Sequence, residues 1–366
     1  MPFDALVAGL QAALAERLVY ERPGPDGLAL YVYTSHCVYE GAWNPVTVSA
    51  RGLVLDLAAR RIVATPFPKF FNAGERDGAI PDLPFDTTEK LDGSLIIVFH
   101  HAGTWRAATK GAFSSPQAFW AQARLDALDL SALTPGVTYL AEATYPENKI
   151  VVHYPVGALR MLAAYDAGGV ELAFEAIAAA AAGIGIETVK RLAFTSITEL
   201  MAKAKGLPRN EEGYVLRFAN GLRLKVKGDE YRRIHALISG LTPLAMWKAF
   251  GARDDLEAIR RDLPEELWGD FDAMIAILRS QIENVVATVA RSAKELEGVP
   301  DKEIGLRLKS FDEVTRAFIF AYRNSKGDLL SSKARDALFR HIRPTGNSLP
   351  GYRPSSAMNR IAEEME

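Results

Sequence analysis

Residues 89–99 read Glu-Lys-Leu-Asp-Gly-Ser-Leu-Ile-Ile-Val-Phe, and this stretch decides how the first part of the chain is interpreted. Asp92-Gly93 is a strong turn signal between strand-forming residues, and the apolar run Leu95–Phe99 follows at once. The segment therefore predicts a β-hairpin with Lys90 beside its turn. A lysine at the mouth of a sheet is also a candidate nucleophile, provided that its surroundings lower the pKa of its amine.

Short β-rich runs recur on both sides of this segment, up to about residue 235. The clearest are Leu28–Tyr33, Gly52–Leu57, Leu95–His100, Val137–Ala143, Ile150–Tyr154, Leu159–Tyr165, Gly213–Phe218 and Leu222–Val226. Helical patterns cover Ser115–Leu128, Glu171–Ala182 and Ser196–Lys205. Because turns rather than regularly alternating helices join most strands, the pattern predicts an α+β domain built on antiparallel sheets.

The pattern changes to a helical one beyond residue 238. Apolar residues at steps of three and four predict one long amphipathic helix: Phe271, Ile275, Leu278, Ile282, Val285 and Val289. Further helical patterns cover Leu241–Phe250, Leu256–Asp262, Ser310–Tyr322 and Ser331–His341. We therefore predict two domains, residues 1–237 and an all-α C-terminal domain of residues 238–366.

Bulk composition sets limits but does not identify a function. The net charge of −2 gives no general argument for a nucleic-acid partner. Cys37 is the single cysteine, which excludes an internal disulfide and fits a reducing compartment. Asp4 and Glu16 interrupt what a signal peptide would need, and no stretch reads as both long and charge-free enough for a bilayer span. We expect a cytoplasmic protein with no membrane partner.

Five ordered segments resemble the motifs of the covalent nucleotidyltransferases, the superfamily of ligases and mRNA capping enzymes. Lys90-Leu91-Asp92-Gly93 looks like motif I. The later segments, resembling motifs III, IIIa, IV and V, are Tyr139–Glu142, Met161–Asp166, Glu211–Val215 and Leu224–Lys227. The resemblance implies an ATP-grasp-like ligase core built on antiparallel sheets.

Within this superfamily the chain looks like the phage-type ATP-dependent RNA ligases that repair cleaved tRNA, the RNA ligase 1 branch. Gly93-Ser94-Leu95 lacks the arginine that DNA ligases and capping enzymes usually carry two residues after the motif I glycine. Ala50–Asp56, Pro68–Asn72, Thr109–Gly111 and Lys227–Tyr231 match that branch. A helical C-terminal half also argues against the OB-fold of other branches.

The resemblance assigns site residues. Lys90 is the nucleophile that takes AMP from ATP, and Lys225 and Lys227, on one face of a strand by period two, are catalytic cations. The implied ATP-binding residues are Arg51, Lys69, Phe71, Asp92, Gly93, Lys110, Glu142, Tyr165, Glu212, Lys225, Lys227 and Tyr231. Among them Arg51, Lys69 and Lys110 are phosphate clamps. Phe71 and Tyr165 are candidates for stacking on adenine, with ordinary core packing as the open alternative.

The resemblance also implies cofactors and partners. Glu142 and Glu212 are candidate ligands of Mg²⁺ (or Mn²⁺), with a ribose contact as the alternative role. The expected substrate is RNA with 5′-phosphate and 3′-hydroxyl ends, such as a nicked tRNA, and a separate kinase–phosphatase is the expected healing partner. Another nucleotidyltransferase (a DNA ligase or capping enzyme) and a non-catalytic RNA-end-binding module are the rival interpretations.

Basic residues concentrate near the C-terminus. Residues 321–360 hold eight lysines and arginines against two acids, with aromatic residues between them. The run fits either a solvated helical face or an RNA-backbone surface with stacking aromatics. The RNA-binding candidates are Lys333, Arg335, Arg340 and Arg343.

Overall fold

The computed structural model describes residues 1–75, 80–331, 333–355 and residue 358, apart from the side chain of Glu266. Contacts divide the chain into two compact units, Met1–His235 and a second unit that begins at Ala236.

The first unit contains fourteen described strands in three sheets. In chain order they are β1 (Val19–Pro23), β2 (Leu28–Tyr33), β3 (Arg51–Asp56), β4 (Arg61–Ala64), β5 (Phe71–Asn72), β6 (Phe85–Lys90), β7 (Ser94–His101), β8 (Thr104–Thr109), β9 (Thr138–Thr144), β10 (Ala158–Tyr165), β11 (Glu187–Thr188), β12 (Arg191–Leu192), β13 (Gly213–Phe218) and β14 (Arg223–Lys227). The orders are β1-β2-β3-β4 in the first sheet, β11-β10-β9-β7-β8 in the second and β12-β6-β13-β14-β5 in the third. All pairs are antiparallel except β10–β11 and β14–β5.

In the described part of the first unit, α1 (Phe3–Ala15) precedes β1, and five further helices lie between the strands: α2 (Ser35–Tyr39), α3 (Pro45–Ser49), α4 (Pro116–Asp126), α5 (Phe174–Gly183) and α6 (Ile197–Lys205). Helix α1 packs Leu6 and Leu10 on the outer face of the first sheet. The inner face packs on the second sheet, where Leu30 and Phe99 are fully buried. Helices α4 and α5 cover the other face of the second sheet, and α6 covers one face of the third. One face of the third sheet is therefore left for a cavity.

The α+β fold with mostly antiparallel sheets agrees with the sequence prediction. Seven of the eight predicted strands form, and each of their ends lies within one residue of the predicted end. Ile150–Tyr154 is not a strand. The backbone N–H groups of Val151 and Val152 donate to the carboxylate of Asp92 instead of to a neighbouring strand.

The predicted hairpin at Asp92-Gly93 is wrong. Strand β6 belongs to the third sheet and β7 to the second, so residues 91–93 cross between two sheets. A Cβ on Gly93 would lie 2.4 Å from the carbonyl oxygen of Ala143, which explains the glycine by close approach rather than by a turn. The true hairpin follows: Ala102 and Gly103, with φ of 49° and 79°, connect β7 to β8.

The second unit is helical in its described residues. Helix α7 (Asp229–Gly240) begins in the first unit and continues into the second. The helices that lie wholly in the second unit are α8 (Pro243–Ala252), α9 (Leu256–Asp262), α10 (Trp268–Glu295), α11 (Asp301–Leu306), α12 (Glu313–Asn324) and α13 (Arg335–His341). No strand follows β14 in the described part of the chain, only an isolated bridge between Thr345 and Ser348, so an OB-fold is absent there. The prediction of an all-α C-terminal region is confirmed, although α7 and α11 were missed.

Helix α10 is the centre of the second unit. Its predicted stripe, including Phe271, Leu278 and Val289, is buried and packs within the unit against α8, α12 and α13. By length and composition alone this helix also passes the test for a membrane span, contrary to the sequence expectation. A core helix of a water-soluble domain passes the same test, and 33% of the apolar window of α10 is buried within the structure.

Candidate active site

A cavity of about 1190 Å³ opens in the first unit. One wall is the free face of the third sheet, where alternate residues point the same way. Lys90, Thr88 and Asp86 of β6, Val215 and Arg217 of β13, and Lys225 and Arg223 of β14 line it. Residues of the other two sheets, Arg51 and Glu142 among them, complete the walls. The cavity therefore gathers residues that are far apart in the sequence.

Glu212 joins two lysines beside this cavity. Lys90, the last residue of β6, pairs in register with Gly213, which places it next to Glu212. The Nζ of Lys90 donates to Oε2 of Glu212 at 2.6 Å, and the Nζ of Lys227 lies 3.0 Å from Oε1. Glu212 is buried, so its charge is balanced by these two ammonium groups rather than by water.

The electrostatics of Lys90 differ from the expectation. Burial by itself would lower the pKa of Lys90, but the attraction of Glu212 and Glu142 and the hydrogen bond to Glu212 raise that pKa above its ordinary value. Without a nucleotide, Lys90 is thus held as an ammonium group. The lysine with a depressed pKa is Lys225: burial, together with repulsion from Lys90, Arg51 and further cations, lowers its pKa to about 6.

Glu142 and Arg51 form the opposite wall. Burial, partly offset by Lys90, raises the pKa of Glu142 to about 7, and the N–H of Gly93 donates to its Oε1 at 3.1 Å. The Nη1 of Arg51 is buried and has no hydrogen-bond partner among the described residues. A buried guanidinium donor without a partner is costly, and an anionic ligand in the cavity would satisfy it.

Asp92 and Tyr231 are not among the residues that line this cavity, although Tyr231 lines a smaller adjoining pocket with Lys225 and Lys227, and their ATP contacts stay a prediction. The buried carboxylate of Asp92 accepts hydrogen bonds from the Tyr231 hydroxyl at 2.7 Å and from Val151 and Val152 at 2.9 and 2.7 Å. These bonds fix the crossing segment that follows Lys90. The two residues position the lysine and the backbone of Gly93, which does line the cavity.

Lys69, Phe71 and Tyr165 also lie outside the cavity lining. The Nζ of Lys69 lies 5.3 Å from the ring centre of Phe71 and 5.5 Å from that of Trp43. Tyr165 packs edge-on against Phe67 in the core, which is the alternative left open for it. Arg51 and Lys110, the other predicted phosphate clamps, do line the cavity.

Phe70 is one of the aromatic residues of the cavity that the sequence analysis did not predict. It lines the cavity, and the Nζ of Lys225 lies 4.9 Å from its ring centre. Its neighbour Phe71 begins β5, where Asn72 pairs with Lys225 in register. Because residues alternate between faces near a strand, the motif pattern identified the pair of phenylalanines but not which of them faces the nucleotide site.

The two predicted metal ligands differ in their availability. Both carboxylate oxygens of Glu212 are engaged by lysines, so this residue does not fit a metal in the arrangement seen. Glu142 in the cavity wall does fit, since Mg²⁺ takes one or two carboxylates and completes its shell with phosphate oxygens and water. No cluster of three or more metal-binding side chains occurs among the described residues.

The predicted RNA-binding residues belong to the second unit. Lys333, Arg340 and Arg343 are exposed. Arg335 is not a free surface cation: its Nη2 donates to the carbonyl of Gly251 at 2.6 Å, and its guanidinium carbon lies 4.4 Å from the ring centre of Phe339. Arg335 thus serves packing, and the other three remain predictions.

The sequence is similar to known RNA ligases. Residues 49–231 match the model of the RNA ligase family of the phage T4 type. A protein of Autographa californica nuclear polyhedrosis virus, named as a bifunctional polynucleotide kinase/RNA ligase, is 27% identical over 279 residues. The match covers 67% of this chain and 39% of that protein, so the chain spans well under half of its relative's length.

Two solved structures are similar at low identity. An archaeal ATP-dependent RNA ligase has a TM-score of 0.48 and 17% identity, covering 100% of this chain and 98% of that one. An ATP-dependent DNA ligase from Aquifex aeolicus has a TM-score of 0.46 and 16% identity, covering 74% and 70%. The classification rests on the sequence match instead: the family model spans half of the residues and includes all five motifs, and the chain therefore belongs to the RNA ligase family.

Proposed function

We propose that this protein is an ATP-dependent RNA ligase that joins 5′-phosphate and 3′-hydroxyl RNA ends through an AMP group carried on Lys90. The observation that carries the proposal is a cavity lined by both Lys90 and Arg51. Beside it Glu212 bridges Lys90 to Lys227, and the buried Nη1 of Arg51 has no hydrogen-bond partner among the described residues. Nucleotidyl transfer from a triphosphate requires a nucleophile, cations that stabilise the negative charge, and hydrogen-bond donors that bind the phosphates. These groups are present here.

In the first step, the Nζ of Lys90 attacks the α-phosphorus of ATP. A P–N bond forms, the bond to the bridging oxygen breaks and pyrophosphate leaves. Lys90 must lose a proton before it attacks, and Glu212, whose Oε2 lies 2.6 Å away, is the acceptor in contact with it. Lys227 offsets the negative charge that develops at the phosphorus, and Lys225, whose pKa is about 6 without a ligand, joins it as a cation once the bound phosphates raise that pKa. Arg51 and Lys110 hold the departing phosphates.

Two further transfers complete ligation. An oxygen of the RNA 5′-phosphate attacks the phosphorus of the lysyl adenylate, and Lys90 leaves as the amine. The RNA 3′-hydroxyl then attacks the 5′-phosphorus, forming the phosphodiester bond and releasing AMP. The cavity contributes positioning and fixed charge, which lower the barrier without further covalent chemistry.

A divalent cation, Mg²⁺ or Mn²⁺, belongs to the proposal because triphosphates react as metal complexes. It would neutralise phosphate charge and orient the leaving group. Glu142 is the residue that would hold it. Loss of the proton from Glu142, whose pKa is about 7 without a ligand, is favoured when a cation sits nearby.

The proposed substrate is an RNA strand broken at one position, for instance within a tRNA loop, in a reducing cytoplasm. Ends that lack a 5′-phosphate need healing first. The viral relative is named for both kinase and ligase. We propose that a kinase–phosphatase supplies the healing step for this ligase as well.

Covalent labelling tests the proposal against its rivals. The protein is incubated with radiolabelled ATP, GTP or NAD, and then with 5′-phosphorylated single-stranded RNA or nicked DNA. Labelling by ATP and sealing of RNA are expected. Labelling by GTP would indicate a capping enzyme, sealing of nicked DNA alone a DNA ligase, and RNA binding without any label a non-catalytic module.

A further inference from the structure

The cavity is larger than one nucleotide needs. Its volume of about 1190 Å³ exceeds the range of roughly 300–1,000 Å³ that is usual for small-ligand sites. Part of its outer wall is β1, the edge strand of the first sheet. This strand precedes the region that the family model matches, so the family match assigns it no role.

Two residues of β1 face the cavity together. Tyr20 and Arg22 alternate with Glu21, whose carboxylate accepts from the Tyr31 hydroxyl on the opposite face. Tyr20 is 51% exposed, and the guanidinium carbon of Arg22 lies 5.0 Å from its ring centre. An exposed aromatic on an edge strand is a liability unless something covers it. A ring paired with a cation is the arrangement that binds unpaired bases and their phosphates.

The strand register places this pair close to the reaction centre. Tyr20 pairs with Val32, and Val32 pairs with Arg51 on the next strand. Neighbouring strands lie about 4.8 Å apart, so the Cα atoms of Tyr20 and Arg51 are separated by about 10 Å. All three side chains line the cavity. A chain whose end is at Lys90 would thus pass Tyr20 within a short distance of the phosphate clamp.

We infer that Tyr20 and Arg22 bind the single-stranded RNA next to its reacting end, with a base stacked on Tyr20 and a phosphate on Arg22. This inference rests on the proposed function, because it takes RNA as the substrate of the same cavity. It adds the place where that substrate enters, on a strand outside the matched motifs.

The test separates RNA binding from nucleotide chemistry. Tyr20→Ala, Tyr20→Phe and Arg22→Ala are compared with Tyr39→Ala, whose tyrosine is 87% exposed on α2 and does not line the cavity. Three quantities are measured: adenylation by ATP without RNA, equilibrium binding of a labelled 5′-phosphorylated RNA, and sealing of pre-adenylated RNA at varied RNA concentration.

Tyr20→Ala should weaken RNA binding and raise the RNA concentration for half-maximal sealing by about tenfold or more, the scale of one lost stacking contact. Adenylation should stay unchanged, and Tyr20→Phe and Tyr39→Ala should behave like the unsubstituted protein. Arg22→Ala should reduce the salt slope of binding by about one. The 5′-phosphate strand and the 3′-hydroxyl strand are then shortened in turn. The difference in RNA binding between Tyr20→Ala and the unsubstituted protein should disappear only when the strand that contacts Tyr20 is shortened.

Equal RNA binding and sealing by Tyr20→Ala and the unsubstituted protein would overturn the inference. So would a loss of adenylation equal to the loss of sealing, because the ring would then stack on ATP instead. If the unsubstituted protein is not labelled by ATP, the proposed function fails, and the binding measurement still decides the role of Tyr20.

Discussion

The two units use their charged side chains in different ways. In the first unit, Lys90, Glu142 and Glu212 are drawn together around one cavity, largely away from solvent. In the second unit, two partly buried arginines satisfy backbone carbonyls. Arg323 donates to the carbonyls of Leu296 and Val299 at 3.0 and 2.9 Å, and Arg335 donates to Gly251.

The difference distinguishes charged groups that are already paired within the protein from charged groups that a ligand would pair. Burying a charge is costly, and the cost is offset by partners within the protein or by a ligand. Arginines that cap helix ends have their partners already, so they contribute to stability. The buried Nη1 of Arg51 has no hydrogen-bond partner in the described part of the chain, and this group and the neighbouring lysine–carboxylate cluster are arranged to bind a ligand.

The largest expected effect follows from removing the nucleophile. Lys90→Ala and Lys90→Arg should both abolish covalent labelling by ATP, since an arginine keeps its charge and cannot become a neutral nucleophile. Lys203→Ala, at an exposed lysine of α6, is the matched control and should label normally. If the Lys90→Ala protein is still labelled by ATP, Lys90 is not the nucleophile, and the charged cavity of the first unit is not the site of adenylation.

Removing a charge of the cavity should cost less than removing the nucleophile. Lys227→Ala and Arg51→Ala should each slow adenylation by about a hundredfold or more, the scale for losing a group that stabilises transition-state charge. Arg51→Ala should spare the sealing of pre-adenylated RNA, because pyrophosphate has already left. If sealing slows while adenylation is intact, the assignment of Arg51 to the leaving group is wrong.

The pH profile tests the lysine–carboxylate pair directly. The reactive form of Lys90 is the neutral amine, and Glu212 raises the pKa of Lys90, so adenylation should accelerate as pH rises above neutral. Glu212→Gln removes the attraction, lowers the pKa of Lys90 and should move this rise to lower pH by about one unit or more. The maximal rate should fall as well, since the proton acceptor is lost. If the pH dependence of adenylation is the same in Glu212→Gln and in the unsubstituted protein, Glu212 does not control the pKa of the Lys90 amine.

The smallest effects are expected in the second unit. Replacing Lys333, Arg340 and Arg343 together by alanine should leave adenylation unchanged and lower the salt slope of RNA binding by about two, if the surface binds RNA. Arg335→Ala should instead destabilise the unit by about 1 to 3 kcal/mol, because the Gly251 carbonyl loses its donor. Thermal unfolding measures the loss of stability expected for Arg335→Ala and absent in the triple variant. An unchanged salt slope of RNA binding in the triple variant would show that Lys333, Arg340 and Arg343 form a solvated surface that does not bind RNA.

Elements buried on both faces were predictable from the sequence. The apolar runs of β7, β9 and β10 identify those strands, and the stripe of α10 identifies that helix. Strand β6 was missed because its sequence, Phe-Asp-Thr-Thr-Glu-Lys, is polar. One of its faces lines a cavity instead of a core, so no apolar alternation marks it. The strand that carries the proposed nucleophile was thus the harder one to predict.

The motifs predicted which residues meet but not how they interact. Lys90, Arg51, Glu142 and Lys225 do share one cavity, as the resemblance implied. The contact between Lys90 and Glu212 joins positions 122 residues apart, and its effect on the pKa of Lys90 has the opposite sign to the expectation. Such long-range pairs depend on strand register, which local patterns do not contain.

The central claim is that Lys90 carries AMP, and mapping the site of attachment tests it most directly. The protein is incubated with ATP and a divalent cation, digested, and its peptides are analysed by mass spectrometry. The account predicts one AMP adduct on Lys90, stable in acid and released by hydroxylamine, as expected for a phosphoramidate. An adduct on Lys225 or Lys227 with Lys90 unmodified, or no adduct at all, would contradict it.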